Sequence, residues 1–300
     1  MPDAKLIHAL ATDAGRVRSH NEDAAAAAPG LGAYILCDGM GGAAAGEVAS
    51  RLAIDNFLAH LTASAPRGEA GPGDVGRVDA GRGDGTVASG LPASSVQARP
   101  QSRLHAAVYA ANRAVFERSG AVEEMAGMGT TLVALFHVPG PLKDRRLVPR
   151  EPKPRFTMPP TLFLANVGDS RCYRRRGGEL HQLSTDHSFV EEQVLAGQIT
   201  ADQAATSPMR NYITRAIGPQ GHVEPDIQSY RPQAGDLYLL ASDGLTRELA
   251  KAEIAGVLEE LVPATGPTQA ELQAACWRLI GAANDHGGGD NITVLLLAFL

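Results

Sequence analysis

Five short acidic segments carry the residue types and spacing that could do chemistry. They are Asn21-Glu22-Asp23, Asp38 in Asp-Gly-Met-Gly-Gly, Asp169 in Val-Gly-Asp-Ser-Arg, Asp243 in Ser-Asp-Gly-Leu, and Asp290 in Gly-Gly-Gly-Asp-Asn. Hard divalent cations take oxygen ligands, carboxylate above all. Asp38, Asp169 and Asp243 follow apolar runs directly or within a residue or two, and Asp290 precedes one. Carboxylates at strand ends are fixed better than those on loops, and the adjacent glycines let carbonyls and water approach an ion. Each segment alone is a weak signal. Asp-Gly is a common turn, Asp290 could simply lead into the last strand, and Asp169 could pair with Arg171. Five together, without a His/Cys zinc pattern, point to divalent-ion chemistry. Two ions bridged by a carboxylate can hold a hydroxide at neutral pH and neutralise a phosphoryl group. Arg18, four residues before Glu22, is a candidate phosphate fork. The competing reading for it is a surface arginine. A structural calcium protein would pack its ligands into one loop, whereas these acids are dispersed over most of the chain.

The elements that must position these acids alternate between strand and helix patterns. Ala33–Cys37 is a short apolar run ending at Asp38-Gly39, a strand and a turn. Glu47–Leu61 and Leu104–Val115 carry apolar residues at helical spacing. Thr130–Phe136, Thr161–Val167 and Leu237–Ala241 read as buried strands. Arg171–Arg175 and Glu179–Leu183 form a hairpin around Gly177-Gly178. Glu253–Leu261 and Gln269–Ala283 read as helices, and Asn291–Phe299 as the closing strand. Hairpin-like strands with separate helices suggest an α+β class with packed antiparallel sheets. Two stretches look like inserts. Residues 64–101 are rich in Gly, Asp, Ala, Ser and Pro and are expected to form a disordered loop. Residues 139–160 form a Pro-rich basic segment, read as a solvated loop or a docking arm.

Composition sets bounds. The 300 residues suit one large domain, here taken as 1–300. A formal charge of −6 argues against general nucleic-acid binding. No apolar run is long enough to span a bilayer, and Met1–Leu10 lacks a signal-peptide pattern. Cys37, Cys172 and Cys276 are scattered and odd in number, which fits reduced thiols in the cytoplasm.

Seven ordered motifs carry a resemblance: Arg18-Ser-His-Asn-Glu-Asp23, Cys37-Asp-Gly-Met-Gly-Gly42 with Gly46-Glu47, Gly129-Thr-Thr131, Val167-Gly-Asp-Ser-Arg171, Asn211-Tyr-Ile-Thr-Arg-Ala-Ile-Gly218, Ser242-Asp-Gly-Leu245 and Gly289-Asp-Asn-Ile-Thr-Val294. In this order the chain resembles the type 2C, or PPM, metal-dependent protein serine/threonine phosphatases of bacterial type, from about residue 7 to 299. The resemblance implies a four-layer α-β-β-α sandwich of two mainly antiparallel sheets flanked by helices. It implies two or three Mn²⁺ or Mg²⁺ ions and hydrolysis of phosphoserine or phosphothreonine by a metal-bridged hydroxide. Carried over by motif, Asp38 bridges two ions, Gly39 offers its carbonyl, and Asp243 and Asp290 complete the pair. Glu22 and Asp23 hold metal-bound waters, Asp169 with Asp243 matches a third-metal position, and Arg18 takes the substrate phosphate. Residues 187–211 match the flap beside the site. The expected partners are phosphorylated proteins, including a Ser/Thr kinase, with no nucleic acid or membrane and a monomeric chain. Two departures stand out. Met40 follows Asp38-Gly39 where some members carry a histidine proposed as a general acid, and Ala43 stands where many bacterial members have His. The alternative function is a catalytically weak pseudophosphatase or phosphoprotein-binding module. Such a chain is expected to have lost Asp38, Asp243 or Asp290, and all three are present.

Overall fold

The computed structural model describes residues 5–41, 45–65, 76–78, 99–140 and 159–300. In chain order the elements are β1 (Leu6–Asp13), β2 (Ala24–Ala28), β3 (Ala33–Cys37), β4 (Gly39–Met40), α1 (Ala45–Ala63), β5 (Gly76–Val78), α2 (Pro100–Ala121), β6 (Gly129–Thr130), β7 (Leu132–Val138) and β8 (Thr161–Val167). They continue with β9 (Arg171–Arg176), β10 (Glu179–Gln182), α3 (Phe189–Leu195), α4 (Ala201–Thr206), β11 (Asp226–Tyr230), β12 (Leu237–Ala241), α5 (Asp243–Glu248), α6 (Lys251–Leu261), α7 (Gln269–Asp285) and β13 (Ile292–Phe299). Among the described residues no helix is long and apolar enough to cross a membrane.

Two antiparallel sheets form the centre, in the orders β1-β13-β12-β9-β10 and β11-β8-β7-β3-β2-β5. Three apolar layers explain the stacking. Alternate residues of a strand face opposite ways. Tyr34 and Leu36 of β3 meet Leu295, Leu297 and Phe299 of β13 between the sheets. Ala33, Ile35 and Cys37 of the same β3 face α1 and α2, through Phe57, Leu61, Leu104 and Val108. On the other side Ile292, Val294 and Leu296 pack on α6 and α7, through Leu258, Leu272 and Leu279. The result is the expected α-β-β-α order of four layers.

Most expected elements form, with ends that differ by a few residues. β1, β2 and β11 are additional strands. Five consecutive alanines in β2 favour a helix by intrinsic propensity, yet all five are buried in the sheet. Their small side chains fit between α1 and the opposite sheet, and that packing overrides propensity. The expectation of a disordered 64–101 needs correction where the chain is described. Ser64 and Ala65 follow α1, Pro100 opens α2, and Gly76–Val78 pairs antiparallel with β2. Arg77 also reaches Asp55 on α1 at 2.6 Å. β5 therefore occupies the otherwise open edge of β2, where unpaired backbone groups find partners. Residues 66–75 and 79–98, and nearly all of the Pro-rich segment, lie outside the described residues.

Candidate metal centre

The acids converge at strand and helix ends. Glu22 and Asp23 end the β1–β2 connection, Asp38 sits between β3 and β4, and Asp169 occupies the β8–β9 turn. Asp243 is the first residue of α5, and Asp290 lies between α7 and β13. Asp38 is held by its backbone, which leaves its side chain to act. Asp38 N–H donates to Thr131 Oγ1 at 2.9 Å, and its carbonyl accepts from Thr131 N and Thr130 Oγ1 at 2.9 and 2.8 Å. The Gly129-Thr-Thr131 motif thus fixes Asp38. Thr131 also meets Ser170, next to Asp169, at 2.7 Å.

Asn291 is the second clamp. Its buried side chain accepts from Glu22 N–H at 2.8 Å and donates to Ala14 and His20 carbonyls at 3.0 and 2.9 Å. This pins the segment bearing Arg18, Glu22 and Asp23 beside Asp290. Two close backbone approaches complete the frame. A Cβ on Gly39 would collide with the Gly46 and Glu22 carbonyls, and one on Gly244 would collide with the Asn291 carbonyl. Glycine at these positions lets α1 and α5 carry their residues against the acids.

The electrostatics are those of a site short of positive charge. Asp23 is buried and neither carboxylate oxygen has a partner in hydrogen-bond geometry, although the Thr293 and Ser242 hydroxyls lie near it. Asp169 Oδ1 is likewise buried and unpartnered. Burial pushes Asp23 up to about 7. It pushes Asp243 up to about 8, with Asp169 adding to the effect and Arg247 opposing it. Asp38 keeps some accessible surface, yet desolvation and then the charges of Asp23, Asp243, Asp169 and Asp290 hold it well above the carboxylate range. It is the acid on which the other four act. Burial also raises Glu22 and Asp169, and nearby arginines offset part of each shift. Buried carboxylates this close cannot all ionise without a cation.

Among the described residues no three carboxylate, imidazole or thiolate groups form a ready cage for an ion. The donor set fits ions that use one or two carboxylates and keep several waters, as Mg²⁺ does. The orphaned oxygens of Asp23 and Asp169 are acceptors of the type such hydrated ions need.

The protein phosphatase 2C family matches residues 13–277. The chain belongs to this family. It is 35% identical over 292 residues to the serine/threonine protein phosphatase PstP of Mycobacterium tuberculosis, covering 97% of this chain and 44% of PstP. It is 30% identical to the protein phosphatase PhpP of Streptococcus pneumoniae, over 96% of each chain. The chain therefore spans less than half of PstP and nearly all of PhpP. The structure of the PstP catalytic domain in complex with 2 manganese ions superposes with a TM-score of 0.71 at 32% identity, over 98% of both chains.

Within this phosphatase 2C frame, the expected site residues fall into two groups. Asp23, Asp38, Asp169, Asp243 and Asp290 are close enough to act on one another, with Glu22 beside Asp290 and Gly39 beside Asp38. Arg18 lies at the rim with its side chain 54% exposed, and donates to Asp290 Oδ2 at 2.9 Å. Asp169 does not pair with Arg171, which is drawn to Asp186 at 2.7 Å. His187 is structural: buried, it accepts from Gly168 N–H through Nδ1 at 3.1 Å and meets Asp226 through Nε2 at 3.2 Å.

Sequence reasoning missed the roles of Asn291, Thr131 and Arg247. The first two stand inside the quoted motifs, but their partners are distant in sequence. Arg247 forms an ion pair with Asp243 one helical turn away and reaches Asp169 and Asp290 at 3.8 and 3.4 Å. The i,i+4 spacing was the available signal, and it is usable only once Asp243 is known to begin a helix.

Proposed function

We propose that this chain is a metal-dependent phosphatase that hydrolyses phosphoserine and phosphothreonine in proteins. The carrying observation is the convergence of five aspartates from separate segments, with buried oxygens of Asp23 and Asp169 left unpartnered. Asp38, the Gly39 carbonyl, Asp243 and Asp290 would hold two ions, Mn²⁺ or Mg²⁺, with Asp38 shared. Glu22 and Asp23 would act through water. Bound ions supply Lewis acidity, acidifying a coordinated water and neutralising charge on a phosphoryl group. Arg18 presents an exposed guanidinium, steadied by Asp290, to the incoming phosphate dianion. Asn291 holds Arg18 and Glu22 in register for that encounter.

The substrates are phosphorylated proteins, as the names of PstP and PhpP suggest, and a Ser/Thr kinase is the natural counterpart of such a hydrolase. All proposed ligands come from one chain, so a monomer suffices. Three buried free cysteines suit a reducing cytoplasm. Burial raises the Cys37, Cys172 and Cys276 thiols, which makes them poor nucleophiles. A phosphoprotein-binding module without turnover would have no need of this acid set.

The test is hydrolysis of a phosphothreonine peptide after chelation, with Mn²⁺, Mg²⁺ or Ca²⁺ restored in turn. Turnover should vanish with chelator, return with Mn²⁺ or Mg²⁺, and survive thiol alkylation. Full activity in excess chelator, or none with any ion, would overturn the proposal.

A further inference from the structure

Arg247 is the group the motifs leave unexplained. It lies on α5, whose first residue is Asp243. Gly244 fixes that helix against the Asn291 carbonyl, so the origin of the arginine side chain is set by the backbone. From there the guanidinium reaches acids of three separate segments. Nη2 pairs with Asp243 Oδ2 and stands 3.8 Å from Asp169 Oδ2, while Nη1 donates to Asp290 Oδ2 at 3.4 Å. A surface arginine with one solvent-exposed partner would look different. This one is 32% exposed and lies within 4 Å of Asp169, Asp243 and Asp290, the first two of which the family resemblance assigns to a third ion.

We propose that the Arg247 guanidinium is the resident cation of the Asp169–Asp243 position, so that this chain holds the two divalent ions that share Asp38 and not a third. The inference rests on the metal-centre reading above. A guanidinium paired with Asp243 and close to Asp169 would compete with a third ion for the same two carboxylates, and its fixed charge would repel a dication bound beside it. It also does part of the work of such an ion, since it neutralises charge on Asp169 and Asp243 without leaving when free metal is scarce. Arginine suits this role because it stays protonated and offers several donors in one plane. Asp169 is then a partner of Arg247 before it is a metal ligand.

The experiment is Mn²⁺ titration of the chelator-stripped, full-length chain, followed by calorimetry and by loss of the free-ion electron paramagnetic signal. The wild type should bind two equivalents. Arg247→Ala should bind a third, weaker equivalent, and adding Asp169→Asn to Arg247→Ala should abolish that third one. Arg247→Gln keeps the side-chain length without the charge and serves as the second variant should alanine compromise folding. It should also gain the third equivalent, and Arg247→Lys should stay at two. Three equivalents in the wild type, or two in both Arg247→Ala and Arg247→Gln, would overturn the proposal. Absence of any Mn²⁺ binding to the wild type would instead remove the metal-centre reading, which separates the two failures.

Discussion

Asn291→Ala tests the clamp that joins two chain ends into one site. The substitution removes three hydrogen bonds of 2.8, 2.9 and 3.0 Å from a buried side chain. Each contributes about 1 kcal/mol net, and somewhat more where a backbone partner is left dry. The sum is ~3 kcal/mol. Unfolding entropy scales at about 2.1 cal/mol/K per residue, so for 300 residues the melting temperature should fall by ~5 °C. The functional effect should be local. Amides of residues 14–23, Glu22 above all, should lose exchange protection, and KM for a phosphopeptide should rise more than kcat falls, because Arg18 and Glu22 ride on that segment. Thermal melting, hydrogen exchange and steady-state kinetics on one preparation read all three. A melting temperature within about 1 °C of wild type, with unchanged protection at Glu22, would refute the reasoning.

Two further outcomes follow from the site's charges. Burial raises Asp23 and Asp243 from 3.8 to about 7 and about 8. Groups with raised folded values favour the folded state below their unfolded pKa and lose that contribution as pH rises through the folded value. Chelated protein should therefore lose stability between about pH 4 and 8, by several kcal/mol at roughly 1.4 kcal/mol per unit. Mn²⁺-loaded protein should show a much flatter profile in the same melts, and equal slopes with and without metal would contradict the assignment. Arg18→Ala should raise KM for phosphopeptides while Mn²⁺ stoichiometry stays unchanged, and an unaltered KM at full metal occupancy would remove Arg18 from the site.

The sequence alone determined the chemistry. Carboxylates beside glycines at the ends of apolar runs are local features, and a strand such as Thr161–Val167 or Leu237–Ala241 announces itself by composition within a few residues. The motif order then identified the family frame and singled out the acids proposed here as its ligands. Local pattern could not reveal β2, because five alanines say helix until α1 and the opposite sheet close over them. Nor could it reveal β5, whose partner strand lies some fifty residues upstream. Tertiary structure alone decided that Asn291 clamps Glu22 from 269 positions away, and that Arg18 rests on Asp290 from 272. It alone placed Arg247 among Asp169, Asp243 and Asp290. Such pairings depend on which strand ends the two sheets bring side by side, a long-range packing result that no sequence window contains.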